Sequence, residues 1–137
     1  MNNSALTLIG FDYGLRHIGV AVGQTITKTA KPLCALKAQA GEAPWGQIAE
    51  IIKEWQPNAF IVGLPLNIDG TEQPITKAAQ NFAKSLTDRF KLPVHFCDER
   101  LTTIEAKEQL FADKGYKGLQ KSAIDAVSAQ IILESWM

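Results

Sequence analysis

The sequence predicts one α/β domain with a mixed five-stranded sheet, in which three antiparallel strands come first, two parallel strands follow, and helices cover both faces. Two patterns predict this class. The first 36 residues hold short apolar runs separated by turn residues, whereas the later residues alternate between apolar side chains at helical spacing and short apolar runs. Strands followed by alternating helices and strands are typical of a sheet covered on both sides. At 137 residues, one such domain buries about two-thirds of its unfolded surface.

The first three strands are predicted in the N-terminal part of the chain. Leu6–Asp12 and Ile18–Gly23 are separated by residues 13–17 only, a connection short enough for an antiparallel hairpin. Pro32–Leu36 is predicted as the third strand. Its proline indicates an edge position, because proline has no N–H to donate to a neighbouring strand.

The period of the apolar residues then changes to that of a helix. Five apolar side chains at helical spacing predict the first helix, which Pro57 ends: Trp45, Ile48, Ile51, Ile52 and Trp55. The remaining predicted elements are a strand, a helix, a strand and two helices, at 59–63, Thr76–Phe90, Val94–Asp98, Thr103–Asp113 and Ser122–Trp136.

The composition argues against several classes of protein. Lys plus Arg and Asp plus Glu each total 14, so no global positive field attracts the chain to nucleic acid or to an anionic membrane, and a site for a polyanion must be a local patch. Cys34 and Cys97 form no CxxC pattern, which favours reduced thiols in a cytoplasm. No apolar run reaches the roughly 18 residues of a membrane span, and no signal-peptide pattern is present. We therefore expect a soluble, cytoplasmic protein without membrane association.

Polar residues follow three of the predicted strands. The first strand ends at Asp12, the strand 59–63 runs into GLPLNIDG (63–70), and the strand 94–98 runs into DERLTT (98–103). Ligands of such sheets collect beyond the carboxyl ends of parallel strands, so these segments are expected to meet at one edge. Asp12 is the most unusual residue, because an acidic side chain in an apolar strand is costly to bury unless something compensates its charge.

Each acidic residue also has a structural explanation. Asp12 is compatible with an ordinary hairpin turn. Asp98 and Glu99 are compatible with surface charges at a strand end, and because neighbours on a strand face opposite ways, at most one of them points into a site; we choose Glu99. Asp125 lies in a helix start that resembles a capping box, where an acid also complements the helix dipole.

The combination of these acids favours a metal site. Asp12, Glu99 and Asp125 come from two strand ends and the last helix, and carboxylates so placed can hold hard cations through oxygen. Two such cations about 3.5–4 Å apart form an arrangement that cleaves phosphodiester bonds. The sequence offers no credible Cys–His or Ser–His pair as nucleophile and base, so water activated by metal is the expected nucleophile.

Four ordered motifs over almost the whole chain resemble the YqgF family of RNase H-like proteins. They are DYGLRHIGVA (12–21), GLPLNIDGTE (63–72), DERLTTIEA (98–106) and KSAIDA (121–126). The resemblance implies an RNase H-like fold and a triad of Asp12, Glu99 and Asp125 that binds Mg²⁺ or Mn²⁺. It also implies a nuclease for the 5′ end of pre-16S ribosomal RNA in ribosome biogenesis, or a DNA endonuclease that resembles Holliday junction resolvases.

A group of basic residues is predicted to bind phosphate, with a solvated helix connection as the alternative. This basic strip consists of Arg16, Arg100, Lys114, Lys117 and Lys121. Asn67 is a further candidate for substrate contact, although a tight turn explains its LNIDG segment equally well. His17, where the family usually has a basic residue, and Gly23–Gln24, in place of a common Ser–Asp pair, depart from the family pattern and affect substrate contacts more than the metal site.

Two other functional classes stay open. Asp-x-Gly after a first strand also resembles the phosphate-binding hairpin of actin-like ATPases and sugar kinases, but those enzymes close two domains around a nucleotide and this chain has room for one. The second class is a non-catalytic RNA-binding factor in ribosome assembly, whose acids are structural. The sequence does not decide whether the substrate is precursor rRNA or branched DNA, or where it is cleaved. It also leaves open whether the metal is Mg²⁺ or Mn²⁺ and whether the protein is a monomer or a homodimer.

Overall fold

The computed structural model describes residues 6–39, 42–99 and 121–137, with the side chains of 121–123 not described. These residues form five strands and three helices. In chain order they are β1 (Thr7–Asp12), β2 (His17–Gln24), β3 (Thr29–Lys37), α1 (Trp45–Trp55), β4 (Ala59–Leu64), α2 (Pro74–Phe90), β5 (Val94–Asp98) and α3 (Lys121–Trp136). The order agrees with the predicted one, and the predicted helix Thr103–Asp113 lies outside the described residues.

The strands form one sheet in the order β3-β2-β1-β4-β5. β1 pairs antiparallel with β2, and β2 pairs antiparallel with β3, whereas β4 pairs parallel with both β1 and β5. The predicted fold class is therefore confirmed. β3 lies at an edge, as its Pro32 predicted, and it starts three residues earlier than the sequence indicated.

Helices cover both faces of the sheet. Ile9 and Phe11 of β1 belong to a core that includes Ile48 of α1 and Phe82 of α2. The alternate residue Leu8 packs in a second core together with residues of α3. Burial on both faces explains why β1, β2 and β4 read as nearly continuous apolar runs rather than as alternating strands.

Local signals explain where the helices begin and end. α1 ends at Trp55, just before Pro57, and the left-handed Gln56 donates its N–H to the carbonyl of Ile52 at 2.8 Å. α2 begins two residues earlier than predicted, at Pro74, because Gln73 and Thr76 form a reciprocal capping box.

α3 is anchored to the edge strand β3 by two polar side chains. The Nε2 of Gln130 donates to the carbonyl of Ala30 at 2.9 Å, and the N–H of Ala30 donates to the Oε2 of Glu134 at 3.2 Å. These bonds position a helix that is buried over residues 126–133. None of the helices within the described residues has the length and apolarity needed to span a membrane.

Candidate active site

Asp12 is the last residue of β1, and its side chain lies on the face of the sheet that α3 covers. Side chains alternate along a strand, so Asp12 shares a face with Leu8 and Gly10. Leu8 is buried in the core that includes α3, and a Cβ placed on Gly10 would lie 3.1 Å from the Cβ of Leu133 in α3. Asp12 is also a paired strand residue rather than part of the hairpin turn, which lies between it and His17.

One glycine lies on each side of Asp12 in the sheet. Asp12 pairs with Gly19 of β2. On its other side, the parallel pairing of the preceding residues brings Gly63 of β4 next to Asp12, and Gly63 pairs with Cys97 of β5. We call these four residues the Asp12 row. Because two of its members lack side chains, the row leaves space above the sheet for groups that approach from α3 and from the end of β5.

Asp125 lies over the Asp12 row because the backbone of α3 touches the sheet at Gly19. A Cβ on Gly19 would overlap the backbone oxygen of Asp125. Asp12 and Asp125 line the same pocket of about 670 Å³, together with residues 13–17 and Ile75 at the start of α2. We call this pocket the carboxylate pocket.

One oxygen of Asp125, Oδ2, is buried and has no hydrogen-bond partner within the described parts of the chain. Leaving a buried acceptor unsatisfied costs about 1–3 kcal/mol, and more when the group is charged. A cation is a group that compensates such an oxygen, and the all-oxygen donor set of Asp12 and Asp125 suits Mg²⁺ or Mn²⁺. These two residues therefore fit a divalent cation.

Glu99 lies on the same face, above Gly63. A Cβ on Gly63 would lie 3.1 Å from the carboxyl carbon of Glu99. Cys97 is buried in the core on the α3 side, so the alternation of β5 directs Asp98 to the opposite face. The geometry thus places Glu99, rather than Asp98, over the Asp12 row.

The three predicted metal ligands do not form one compact cluster. Across residues 6–39, 42–99 and 121–137, no three His, Cys, Asp or Glu side chains are arranged to hold a metal ion. Asp12 and Asp125 share the carboxylate pocket, whereas Glu99 lies above Gly63, one strand away from Asp12. Ligation of one metal site by all three residues therefore stays a prediction.

The structure adds neighbours that the sequence did not single out as site residues. Cys97 belongs to the Asp12 row, and burial, followed by the charges of Glu99 and Asp98, raises the pKa of its thiol. Leu15 and Ile75 supply apolar walls to the carboxylate pocket. The sequence contains a signal for Cys97, because strand alternation places it on the same face as Glu99. It contains no local pattern that brings Ile75 of α2 next to the hairpin.

The predicted substrate-binding residues have different positions. Arg16 is exposed and lines the carboxylate pocket. Asn67 is exposed, and its Nδ2 donates to the hydroxyl of Thr71 at 2.9 Å, so this amide group supports its own loop. Lys121 begins α3. The other members of the basic strip lie outside the described residues: Arg100, Lys114 and Lys117.

The buried oxygen of Asp125 leads to a prediction about thermal stability. We expect Asp125→Asn to raise the melting temperature in the presence of a chelator by about 4 °C for each kcal/mol of relieved desolvation cost. Added Mg²⁺ should stabilise the wild type and not the variant, because binding to the folded state alone stabilises that state. The measurement is calorimetry with EDTA and with Mg²⁺. Asp88→Asn, an exposed site on α2, is the control, and a variant that melts lower than the wild type in EDTA would contradict the prediction.

Sequence comparisons relate this chain to a protein family and to named relatives. A family model described as "RuvX: Holliday junction resolvase" matches residues 6–137. A Haemophilus ducreyi protein named "Putative pre-16S rRNA nuclease" is 57% identical over 132 residues, which cover 96% of each chain. A Klebsiella pneumoniae protein of the same name is 55% identical over 130 residues, which cover 95% of this chain and 94% of the relative.

Solved structures show the same fold at low sequence identity. Thermus thermophilus RuvC in complex with a Holliday junction substrate superposes with a TM-score of 0.60 at 16% identity, over 94% of this chain and 91% of RuvC. The fowlpox virus resolvase in complex with Holliday junction DNA gives a TM-score of 0.54 at 14% identity, over 96% and 99% of the two chains. The predicted membership of the YqgF family is confirmed under the family's other name, and the chain belongs to the RuvX family.

Proposed function

We propose that this protein is a nuclease that hydrolyses phosphodiester bonds of precursor 16S rRNA near its 5′ end, with help from a divalent cation at the carboxylate pocket. The observation that carries the proposal is the buried Oδ2 of Asp125, which lacks a described partner in a pocket shared with Asp12. The names of the relatives support the substrate, because they are more than half identical over nearly the whole chain. The proposal implies a place in ribosome biogenesis and hence in the cytoplasm.

Asp12 and Asp125 would hold the cation, and Glu99 would complete the ligand set from the end of β5. A divalent cation, when bound, supplies charge that favours the attacking and leaving oxygens of a phosphodiester. Asp12 lies on a strand and Asp125 on a helix whose backbone touches that sheet, and this arrangement supports a role for carboxylates that are positioned before substrate binds. Arg16, at the hairpin, would contact a phosphate of the substrate.

A cleavage assay with several substrates tests the proposal. The substrates are a precursor 16S rRNA fragment, single-stranded RNA and DNA, and a four-way DNA junction, each with Mg²⁺, with Mn²⁺ and with EDTA. We expect cleavage of the rRNA fragment that depends on the metal and on Asp12. Preference for the junction would instead support a resolvase, the second candidate, which the RuvX description and the likeness to RuvC favour. Binding without metal-dependent cleavage of any substrate would support a non-catalytic assembly factor.

Arg16 allows a prediction about the salt dependence of binding. Because the net formal charge is zero, affinity for nucleic acid must come from local positively charged side chains such as that of Arg16. Arg16→Ala should lower the slope of log K against log salt by about 0.7–0.9, the contribution of one phosphate contact. Lys53→Ala is the control, because Lys53 is exposed in the last turn of α1, away from the carboxylate pocket.

The same titration tests the outer part of the basic strip. Charge reversal at Lys117 and Lys121 should weaken binding and flatten the slope by roughly one unit for each phosphate that these lysines bind in the wild type. Fluorescence anisotropy at several salt concentrations measures both quantities in a cleavage-deficient background. An unchanged slope would remove these lysines from the interface.

A further inference from the structure

The loop between β4 and α2, residues 65–73, contains several hydrogen bonds among its own residues. The N–H of Asn67 donates to the carbonyl of Thr71 at 2.9 Å, and the N–H of Gly70 donates to the carbonyl of Asn67 at 2.8 Å. The Oδ1 of Asp69 accepts from the N–H of Thr71 at 2.9 Å and from its hydroxyl at 2.6 Å. Gly70 adopts a φ of 89°, which favours glycine.

The base of the loop is also tied down. Leu66 and Glu72 form an antiparallel bridge, and the hydroxyl of Thr76 in the first turn of α2 donates to the carbonyl of Pro65. The Nε2 of Gln80 donates to the Oε2 of Glu72 at 3.2 Å. These contacts join the loop to α2, so the tip is presented by a supported structure.

The loop presents an isoleucine at its tip. Ile68 is 97% exposed, more than any other large apolar residue within the described segments. A branched aliphatic side chain in water forgoes the free energy of burial, whereas Asn, Asp or Ser suits such a turn without that loss. Single exposed apolar side chains are common on protein surfaces, and what distinguishes Ile68 is the hydrogen-bonded loop that holds it outward, where it is available to contact another molecule.

Both ends of the loop lie next to the proposed catalytic site. Gly63, two residues before it, belongs to the Asp12 row, and Ile75, two residues after it, lines the carboxylate pocket. Ile68 is five residues from Gly63, so their Cα atoms are at most about 18 Å apart. That distance corresponds to about five steps of stacked bases at roughly 3.4 Å each. A strand with a phosphodiester in the pocket can therefore reach the tip.

We propose that Ile68 is a wedge that inserts between two neighbouring bases of the nucleic-acid substrate and fixes which phosphodiester enters the carboxylate pocket. Isoleucine is among the apolar side chains that proteins insert between base steps, which partly unstacks them. The proposal rests on the proposed function, because it requires nucleic acid at the pocket. It adds a residue that sets the position of the cut and that contacts bases rather than phosphates.

The surroundings of Ile68 favour a base step over a protein partner. Docking sites for proteins are contiguous apolar patches, often of several hundred Å². The tip residues next to Ile68 are polar and exposed, namely Asn67, Asp69 and Thr71. One projecting apolar side chain with polar neighbours fits the gap between two base planes, while the polar groups remain in water.

The test uses 2-aminopurine, whose fluorescence rises when it is unstacked, placed at successive positions within about five nucleotides of the cleavage site. Binding is measured in the Asp12→Asn background, so that the substrate stays intact. We expect fluorescence to rise at one position with Ile68 present and not with Ile68→Ala. We also expect the Kd to rise by about tenfold for Ile68→Ala, because the apolar contact between Ile68 and the two bases is lost and the unstacking that no longer occurs offsets only part of that loss. Ile68→Leu should retain the signal, because it keeps an apolar wedge of the same size.

Ile26→Ala is the matched control, because Ile26 is 73% exposed in the turn between β2 and β3, at the end of the sheet opposite the pocket. It should change neither fluorescence nor Kd, and the melting temperatures of both alanine variants should equal that of their background. In the active protein, Ile68→Ala should spread cleavage over neighbouring positions.

The outcomes separate this proposal from the proposed function. Unchanged fluorescence, Kd and cut position in Ile68→Ala, with cleavage intact, would overturn the wedge and leave the nuclease standing. An Ile68-dependent fluorescence signal in a protein that cleaves no substrate would support insertion between bases, and it would refute the nuclease together with the role of Ile68 in setting the cut. Absence of nucleic-acid binding by the wild type would overturn both.

Discussion

Asp12→Asn is expected to abolish cleavage and to leave the protein folded. Asparagine has the shape of aspartate but lacks the negative charge that holds a divalent cation. A cation contributes several kcal/mol to the stabilisation of charge in the transition state, and each 1.36 kcal/mol is a factor of ten in rate, so we expect a loss of about 10³-fold or more. Binding of nucleic acid through Lys and Arg side chains outside the carboxylate pocket should largely persist.

The measurement for Asp12 combines product formation with circular dichroism and the melting temperature. Asp88→Asn, which changes the charge of an exposed residue on α2 by the same amount, should cleave at the wild-type rate. Wild-type activity in Asp12→Asn would refute the metal-assisted mechanism. Loss of folding would instead indicate that Asp12 serves the hairpin between β1 and β2.

Gly19→Ala is expected to produce the largest loss of stability among single alanine substitutions in the Asp12 row. The added methyl group would overlap the backbone oxygen of Asp125, so α3 must move away from β2. Overpacking a rigid contact of this kind costs about 3 kcal/mol, and a chain of this length then melts roughly 10 °C lower. Cleavage should fall as well, because the same displacement moves Asp125 away from Asp12.

Gly46→Ala is the control for this substitution. Gly46 lies in the exposed first turn of α1, and a Cβ there would meet nothing within 4 Å. Alanine is the better helix former by about 1 kcal/mol, so Gly46→Ala should hold or raise the melting temperature. Calorimetry measures the melting temperatures of Gly19→Ala and Gly46→Ala. Equal melting temperatures would contradict the close contact between α3 and β2.

The elements of this fold follow from local sequence. Pro57 ends α1 because its ring cannot continue a helix, and Pro32 belongs to an edge strand because it has no N–H to donate. The apolar neighbours of Asp12 in β1 are sufficient to mark this aspartate as unusual. Such signals depend on residues a few positions apart, which a single sequence contains.

The layout of the site depends on pairing between distant segments. Alternation in β5 shows that Asp98 and Glu99 face opposite ways, but the burial of Cys97 on the α3 side decides which of them lies over the Asp12 row. Likewise, the glycines on either side of Asp12 come from β2 and β4, and no local pattern shows that they are its neighbours.

Ile68 illustrates the same division. The LNIDG segment predicts a tight turn from its Asn, Asp and Gly residues, and the hydrogen bonds of the loop agree with that prediction. An isoleucine in a sequence is ordinarily expected to be buried, yet the packing of the loop against the start of α2 leaves this one almost fully in water. Backbone preferences of neighbouring residues select the turn, whereas burial is a property of everything that surrounds a side chain and is settled when distant segments pack together.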